Sequence, residues 1–104
     1  MLRIGMLGFS DRVYNIVSKI PRGMVLIYGE VAKRAGNPKA ARAVGMCMNK
    51  NRDVKRVPCH RVVSSTGELT GYAFGGVAAK KKKLITEGVK FVGERVDLAK
   101  SLWR

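Results

Sequence analysis

The residues best suited to chemistry stand side by side in the stretch PCHRV, where Cys59 is followed directly by His60. Such a pair can be a thiol nucleophile with its base, a metal-binding pair, or two neighbours in the core. The chain has one histidine and two cysteines, the other cysteine being Cys47. Because a structural zinc site usually takes four Cys or His ligands, we expect no metal and no other cofactor. We interpret Cys47 as a core residue.

The charge of the chain is the first indication of a partner. Twenty-one Lys and Arg residues against seven Asp and Glu residues give a net charge of +14 and a pI near 10.5. A domain with a pI above about 9 and clustered basic residues has the electrostatic character of a nucleic-acid-binding protein. Nine basic residues and one acidic residue, Asp53, lie between positions 33 and 61. The alternative is a cationic surface that aids solubility or touches anionic membranes. We interpret the run Lys80 to Lys83 as the solvated face of a helix.

The totals favour one folded domain over residues 1–104, with no N-terminal domain before it. Hydrophobic residues make up 46% and charged residues 27% of the chain, which is typical of globular proteins. No apolar run approaches the roughly 18 residues of a membrane span, and we find no signal peptide. Two cysteines are too few for a disulfide scaffold, so reduced thiols and a cytoplasmic, nucleoid-associated location in a prokaryote are expected. We expect a monomer.

The pattern of apolar residues predicts a mainly α fold with a small β-hairpin wing, similar to a winged helix-turn-helix. In residues 11–20 the apolar residues follow helical spacing, with Ser10 as N-cap and Pro21 ending the helix. A short extended segment follows at 23–27. A strand is expected at 60–65, a turn at 65–68 and a short strand at Leu69 and Thr70. A last helix is expected over 78–87, with Leu84 and Ile85 inward.

The spacing of two helices in the middle of the chain predicts a helix-turn-helix. A helix over 28–35 is ended by Gly36, and Asn37 and Pro38 are expected to begin a helix that reaches Met48. A connection of two or three residues is typical of this motif. On the third helix an apolar face contains Ala41, Val44 and Met48, and a second face carries Lys39, Arg42, Met46 and Asn49. Small residues beside the second face, such as Gly45, allow close approach to a nucleic-acid groove or simply tight helix packing.

Five ordered motifs resemble those of the O6-alkylguanine-DNA alkyltransferases, also called methylated-DNA–protein-cysteine methyltransferases. They are IPRGMVLIYGEVAK (20–33), GNPKAARAVG (36–45), PCHRVV (58–63), GELTGYAFGG (67–76) and KKLITEG (82–88). The resemblance covers residues 9–88 and implies double-stranded DNA containing O6-alkylguanine as the partner. Members of this family dock a helix-turn-helix in the minor groove, flip the damaged base out and move its alkyl group irreversibly to a cysteine.

The resemblance also assigns roles to the residues of the reactive site. It implies that Cys59 accepts the alkyl group, that His60 deprotonates it through water, and that Glu87 orients His60. A free cysteine thiol has a pKa of about 8.5 and needs such help at neutral pH. Asn51 matches an asparagine that supports the turn of the site. The backbone carbonyls of Cys59 and Val62 are expected to accept hydrogen bonds from the guanine amino group.

Further roles concern DNA and the extruded base. Arg42 is expected to fill the gap left by the base, with Lys39, Ala41 and Asn49 as further DNA-contacting residues. Tyr28 is expected to crowd the phosphate of the flipped nucleotide and to donate to the base. The pocket for the base is expected to contain Tyr28, Met48, Val62 and Tyr72.

Some features depart from this family. The short chain resembles the alkyltransferase-like proteins, which bind alkylated guanine without removing the alkyl group and have tryptophan or alanine at the position of Cys59. Arg52 stands where proline is common, and the segment 72–80 is about one residue longer than usual. Because the chain has the cysteine, the sequence favours the transferase. A non-catalytic lesion-binding protein is the first alternative, and a winged helix-turn-helix regulator is the second.

Overall fold

The computed structural model describes residues 8–104, so the expectations that fall on residues 1–7 lie outside the described part. In chain order the elements are α1 (Phe9–Val17), β1 (Leu26–Ile27), α2 (Tyr28–Arg34), α3 (Ala41–Lys50), a 3-10 turn (Cys59–Arg61), β2 (Val62–Val63), α4 (Gly76–Thr86), β3 (Phe91–Val92), β4 (Arg95–Val96) and α5 (Leu98–Ser101). The mainly helical fold with a small hairpin wing is therefore confirmed. Within residues 8–104 no helix is long and apolar enough to cross a membrane.

The first helix begins earlier than the sequence predicts. Its N-cap is Gly8, and the Ser10 hydroxyl instead accepts a 3.6 Å hydrogen bond from the Cys47 thiol. Val13 and Val17 are fully buried, so the expected inward stripe is present. The helix ends at Val17, before Pro21 is reached, and a short turn brings Ile20 into the core.

Helices α2 and α3 pack on each other as a helix-turn-helix, with a longer turn than expected. Gly36 has a φ of +96°, which suits a glycine after a helix end. Asn37 does not cap α3: its side chain accepts a hydrogen bond from the Lys39 N–H inside the turn, and α3 begins only at Ala41. Asparagine stabilises such local turns by mimicking the backbone, and here the turn prevails over the cap. Cys47 is buried on the inner side of α3, as predicted.

Two small sheets connect the helices. Leu26 and Ile27 pair in parallel with Val62 and Val63, which ties the start of α2 to the segment after the 3-10 turn. The wing lies later in the chain than expected: Phe91–Val92 pairs antiparallel with Arg95–Val96. Residues 69–70 form no strand, although Glu68 makes a single bridge to Arg95. The long strand expected at 60–65 is therefore replaced by the 3-10 turn and a short strand.

Two apolar cores follow from this arrangement. The larger core joins α1, α2 and α3 to the 3-10 turn, and it contains Cys59 and Val62. The smaller core packs Leu84 of α4 on the wing. Ile85, expected to face inward, is 53% exposed, whereas Lys80 of the same helix is 1% exposed. The interpretation of residues 80–83 as a solvated face is thus wrong for Lys80.

Gly67 joins the turn after β2 to the wing, and we expect its substitution by alanine to destabilise the domain. Its φ is +86°, and an added Cβ would lie 2.4 Å from the carbonyl oxygen of Val96. Gly67→Ala should lower the free energy of unfolding by roughly 2–4 kcal/mol, measured by urea denaturation. Gly93→Ala is the matched control, since Gly93 also has a positive φ, +61°, but has open space around it. Equal losses in the two variants would contradict the role of the close contact.

Candidate active site

The 3-10 turn at Cys59–Arg61 presents the candidate nucleophile at the edge of the larger core. Cys59 is 4% exposed, and its N–H donates to the carbonyl of Val57 at 2.8 Å. The N–H of Val62 donates back to the carbonyl of Cys59. This carbonyl therefore has one remaining lone pair for any further donor.

Glu87 reaches the turn from the C-terminus of α4. One carboxylate oxygen, Oε1, lies 3.0 Å from Nε2 of His60 and 2.9 Å from Nε of Arg61. The other oxygen accepts a 2.7 Å hydrogen bond from the Arg61 guanidinium. Burial by itself would raise the pKa of Glu87, but the hydrogen bonds from Arg61 and His60 outweigh it and lower the pKa. Glu87 is therefore an ionised acceptor.

The ionised carboxylate fixes the tautomer of His60. Because a carboxylate only accepts, Nε2 of His60 must carry the proton, and in the neutral ring Nδ1 is left as an acceptor. Burial lowers the pKa of His60, against the attraction of Glu87, so the neutral ring is favoured. The Nδ1 atom is buried without a hydrogen-bond partner among residues 8–104. A neutral, oriented imidazole with a free acceptor is what a general base requires.

Asn51 and Arg61 hold the turn in place. The Asn51 amide donates to the carbonyl of Val57 at 2.8 Å and its oxygen accepts from the Asp53 N–H, so Asn51 secures the loop that leads to Cys59. Arg61 also donates to the carbonyl of Ile20 at 2.8 Å. The sequence analysis did not predict Arg61 as a site residue. The available signal was its position beside His60 and its positive charge, which can pair with the carboxylate of Glu87.

The predicted pocket residues belong to the core that contains Cys59 or pack on it. Met48, Val62 and Tyr72 are buried in the same core as Cys59, and Tyr28 packs against it. The Tyr72 hydroxyl is buried and unpaired within the described part of the chain, and its ring meets the ring of His60 edge-on at 6.5 Å. The Tyr28 hydroxyl forms a 2.8 Å hydrogen bond with the hydroxyl of Thr70.

All of the predicted DNA-contacting residues except Lys39 line one surface depression of about 350 Å³. Its lining is made by α3, the start of α2 and the segment before Tyr72: Tyr28, Ala41, Arg42, Gly45, Asn49, Thr70 and Gly71. Nothing lies within 4 Å of the position that a Cβ of Gly45 would take. Gly45 is therefore not required for helix packing, which favours the close-approach interpretation. Lys39 is exposed in the turn before α3 and does not line the depression.

A second, larger groove of about 700 Å³ reaches the outer side of the His60–Glu87 pair. Its apolar part is formed by Val54, Pro58 and Ala79. Among residues 8–104 no group of three His, Cys, Asp or Glu side chains is placed to hold a metal ion.

The comparisons with known proteins identify the family of the chain. Residues 8–89 match the family model described as "6-O-methylguanine DNA methyltransferase, DNA binding domain". The chain belongs to this family. A methylated-DNA–protein-cysteine methyltransferase of Methanosarcina acetivorans is 52% identical over 67 residues, which are 64% of this chain and 43% of that protein. The chain thus spans about half the length of the curated relatives that it matches.

Two solved structures show the same fold with DNA. S. pombe Atl1 in complex with damaged DNA containing O6-carboxymethylguanine superposes with a TM-score of 0.79 at 33% identity, covering 92% of this chain and 94% of that one. Mycobacterium tuberculosis OGT in complex with DNA gives a TM-score of 0.73 at 43% identity, covering 78% of this chain and 49% of that one. The first of these two chains is matched over almost its whole length and the second over about half.

The buried charge of Lys80 leads to a stability prediction. Burial lowers the pKa of Lys80 from 10.5 to about 8. Between these pH values the unfolded chain binds more protons than the folded one, so stability rises with pH. Lys80→Met should therefore be more stable than the wild type by up to about 3 kcal/mol below pH 8. The gap should close towards pH 10.5, as measured by urea denaturation across this range; a gap independent of pH would contradict the assignment.

Proposed function

We propose that the chain repairs DNA by direct reversal, binding duplex DNA that contains O6-alkylguanine and transferring the alkyl group once to Cys59. The observation that carries this proposal is the oriented relay beside the thiol. Glu87 holds Nε2 of His60 at 3.0 Å, while Nδ1 is buried and free to accept a proton. The reaction needs a reduced thiol in the compartment that holds the DNA, which fits a prokaryotic cytoplasm.

The relay supports a displacement at the alkyl carbon. His60 Nδ1 accepts the thiol proton through a bridging water, and the sulfur attacks the carbon attached to O6. The S–C bond forms while the C–O bond breaks, and the electron pair returns to the guanine, which takes up a proton. The thioether is a poor leaving group, so no second turnover follows. The chain then acts as a stoichiometric reagent.

The depression beside α3 supports the handling of DNA. Arg42 is exposed at its edge and would take the space of the extruded base. Gly45 leaves room for the sugar-phosphate backbone, while Asn49 and Ala41 line the same surface. Lys39 would contact phosphate from the preceding turn.

The base would enter between Tyr28 and the segment that ends at Tyr72. The hydrogen bond between Tyr28 and Thr70 spans this entrance, so binding must break it and release the Tyr28 hydroxyl to donate to the base. Met48 and Val62 would line the apolar side of the pocket.

The alternative is a lesion-binding protein that flips the base without taking the alkyl group and recruits other repair factors. The observation that favours it is the structural likeness to S. pombe Atl1, with a TM-score of 0.79 at 33% identity. The relay geometry favours transfer, because His60, which follows Cys59 directly in the 3-10 turn, is bound to Glu87 at 3.0 Å.

Transfer predicts a mass change confined to one residue. After mixing with a duplex oligonucleotide containing O6-methylguanine, the intact protein should gain one methylene, and peptide mapping should place it on Cys59. Cys59→Ala should gain nothing. Cys47→Ala, which removes the other thiol, should react like the wild type. An unchanged wild-type mass with tight lesion binding would instead establish the non-catalytic alternative.

The position of Arg42 predicts a specific loss of lesion binding. Arg42→Ala should bind the O6-methylguanine duplex at least about tenfold more weakly, measured by fluorescence anisotropy with Cys59→Ala as the background. Lys100→Ala is the control, since it removes one positive charge from α5 instead of the helix-turn-helix. A sequence-specific footprint on undamaged DNA would favour a regulator. Equal weakening by both variants would indicate that the effect is only one of net charge.

A further inference from the structure

The groove on the outer side of the His60–Glu87 pair has no part in the proposed handling of DNA. It has a volume of about 700 Å³, and among the described residues it has no lining residue in common with the depression beside α3. Its floor is apolar and is formed by the buried or half-buried side chains of Val54, Pro58 and Ala79. A cavity of this size holds several side chains, so the groove has room for a ligand of its own.

The rim of the groove carries exposed positive charges from three separate segments of the chain. Arg22 precedes β1, Lys55 lies in the loop before the 3-10 turn, and Lys82 is on α4. Within residues 8–104 none of these three side chains forms a hydrogen bond or an ion pair. Lys81 of the same helix, by contrast, is paired with Glu94 at 2.9 Å. Unpaired cations around an apolar floor favour a partner that brings negative charge.

The acidic residue of the groove does not compensate for these charges. Among the described residues Glu87 is the one carboxylate that lines it, and both of its oxygens are bound by Arg61, with His60 on one of them. Lys83 adds a further positive charge at the groove, 5.6 Å from the centre of the Tyr72 ring. The groove therefore keeps a positive field that attracts anionic groups.

The lining of the groove favours a protein segment over nucleic acid. Single-stranded nucleic acid is held largely by aromatic side chains on which bases stack, and within the described part of the chain no Phe, Tyr or Trp lines the groove. A duplex contacts proteins mainly through its phosphates, which would leave the apolar floor exposed to water. A peptide segment with both carboxylates and apolar side chains matches the rim and the floor together.

We propose that this groove is the docking site for an acidic segment of a protein partner. Apolar side chains of the segment pack on the floor, and its carboxylates pair with Arg22, Lys55 and Lys82 on the rim. Because the depression beside α3 remains free, the partner and DNA bind the chain at the same time. The proposal goes beyond the proposed function, since such a surface serves a transferase and a non-catalytic protein alike.

The test is an NMR titration, without DNA, with a short synthetic peptide that repeats aspartate, glutamate and leucine. The chain has one histidine and one tryptophan, so each gives a single set of ring signals. The peptide should shift the signals of His60, which lines the groove, and leave those of Trp103, which packs beneath Arg34. It should bind at least about tenfold more tightly than a peptide with glycine in place of leucine. No shift at His60, or equal binding of the glycine peptide, would overturn the proposal.

Charge reversal then tests the rim. The double variant Lys55→Glu/Lys82→Glu should bind the leucine-containing peptide at least about tenfold more weakly, measured by fluorescence anisotropy of the labelled peptide. Lys90→Glu/Lys100→Glu is the matched control, since it changes the net charge equally at exposed lysines that do not line the groove. This control should weaken binding by no more than about twofold. Equal weakening by the two variants would show that only net charge acts, and the proposed site would be wrong.

An undamaged DNA duplex separates the two classes of partner. Lys55→Glu/Lys82→Glu should bind the duplex no more weakly than Lys90→Glu/Lys100→Glu does, and the labelled peptide should stay bound to the wild type when the duplex is added in excess. A loss of duplex affinity confined to Lys55→Glu/Lys82→Glu, or displacement of the peptide by DNA, would assign the groove to nucleic acid instead. None of these measurements uses alkyl transfer, so a wild type that transfers no methyl would leave the peptide result unchanged.

Discussion

The ionised carboxylate of Glu87 is the interaction on which the geometry of the site depends. It lies at the C-terminus of α4, where a negative charge is unfavourable against the helix dipole. Arg61 compensates by binding both carboxylate oxygens, and His60 binds one of them. The same contacts fix the 3-10 turn against α4, so the position of Cys59 and the tautomer of His60 have one common cause.

Helix α4 brings opposite charges to the two ends of its inner face. Lys80, Leu84 and Glu87 stand at positions i, i+4 and i+7, which is one face of a helix. Leu84 anchors this face in the smaller core. Lys80 lies beside the Tyr28 ring, and Glu87 binds His60 and Arg61. A small domain that buries two charges gives up stability for them. In the proposed function the charge of Glu87 acts on the thiol through His60.

Tyr28 connects the surface beside α3 to the core that contains Cys59. It lines the depression with Arg42 and Asn49, packs on the core that contains Cys59, and faces the ammonium of Lys80. Its hydroxyl is held by Thr70. Tyr28 therefore contacts both the surface depression and the core that contains Cys59.

The sequence by itself determined the helix-turn-helix, the inward stripe of α1 and the motifs that identify the family, because apolar spacing, glycine stops and ordered local motifs are properties of short segments. It also indicated Cys59 and His60, which are adjacent in the chain. Only the tertiary structure decided the rest. The hydrogen bonds of Glu87 join it to Arg61 and His60, which lie 26 and 27 positions earlier in the chain. The wing forms at 91–96. Lys80 is buried, whereas Ile85 is exposed. Whether a residue is buried depends on which face of its helix packs on another element. Hydrophobicity alone predicts that Ile85 is buried and Lys80 exposed, and the structure shows the reverse.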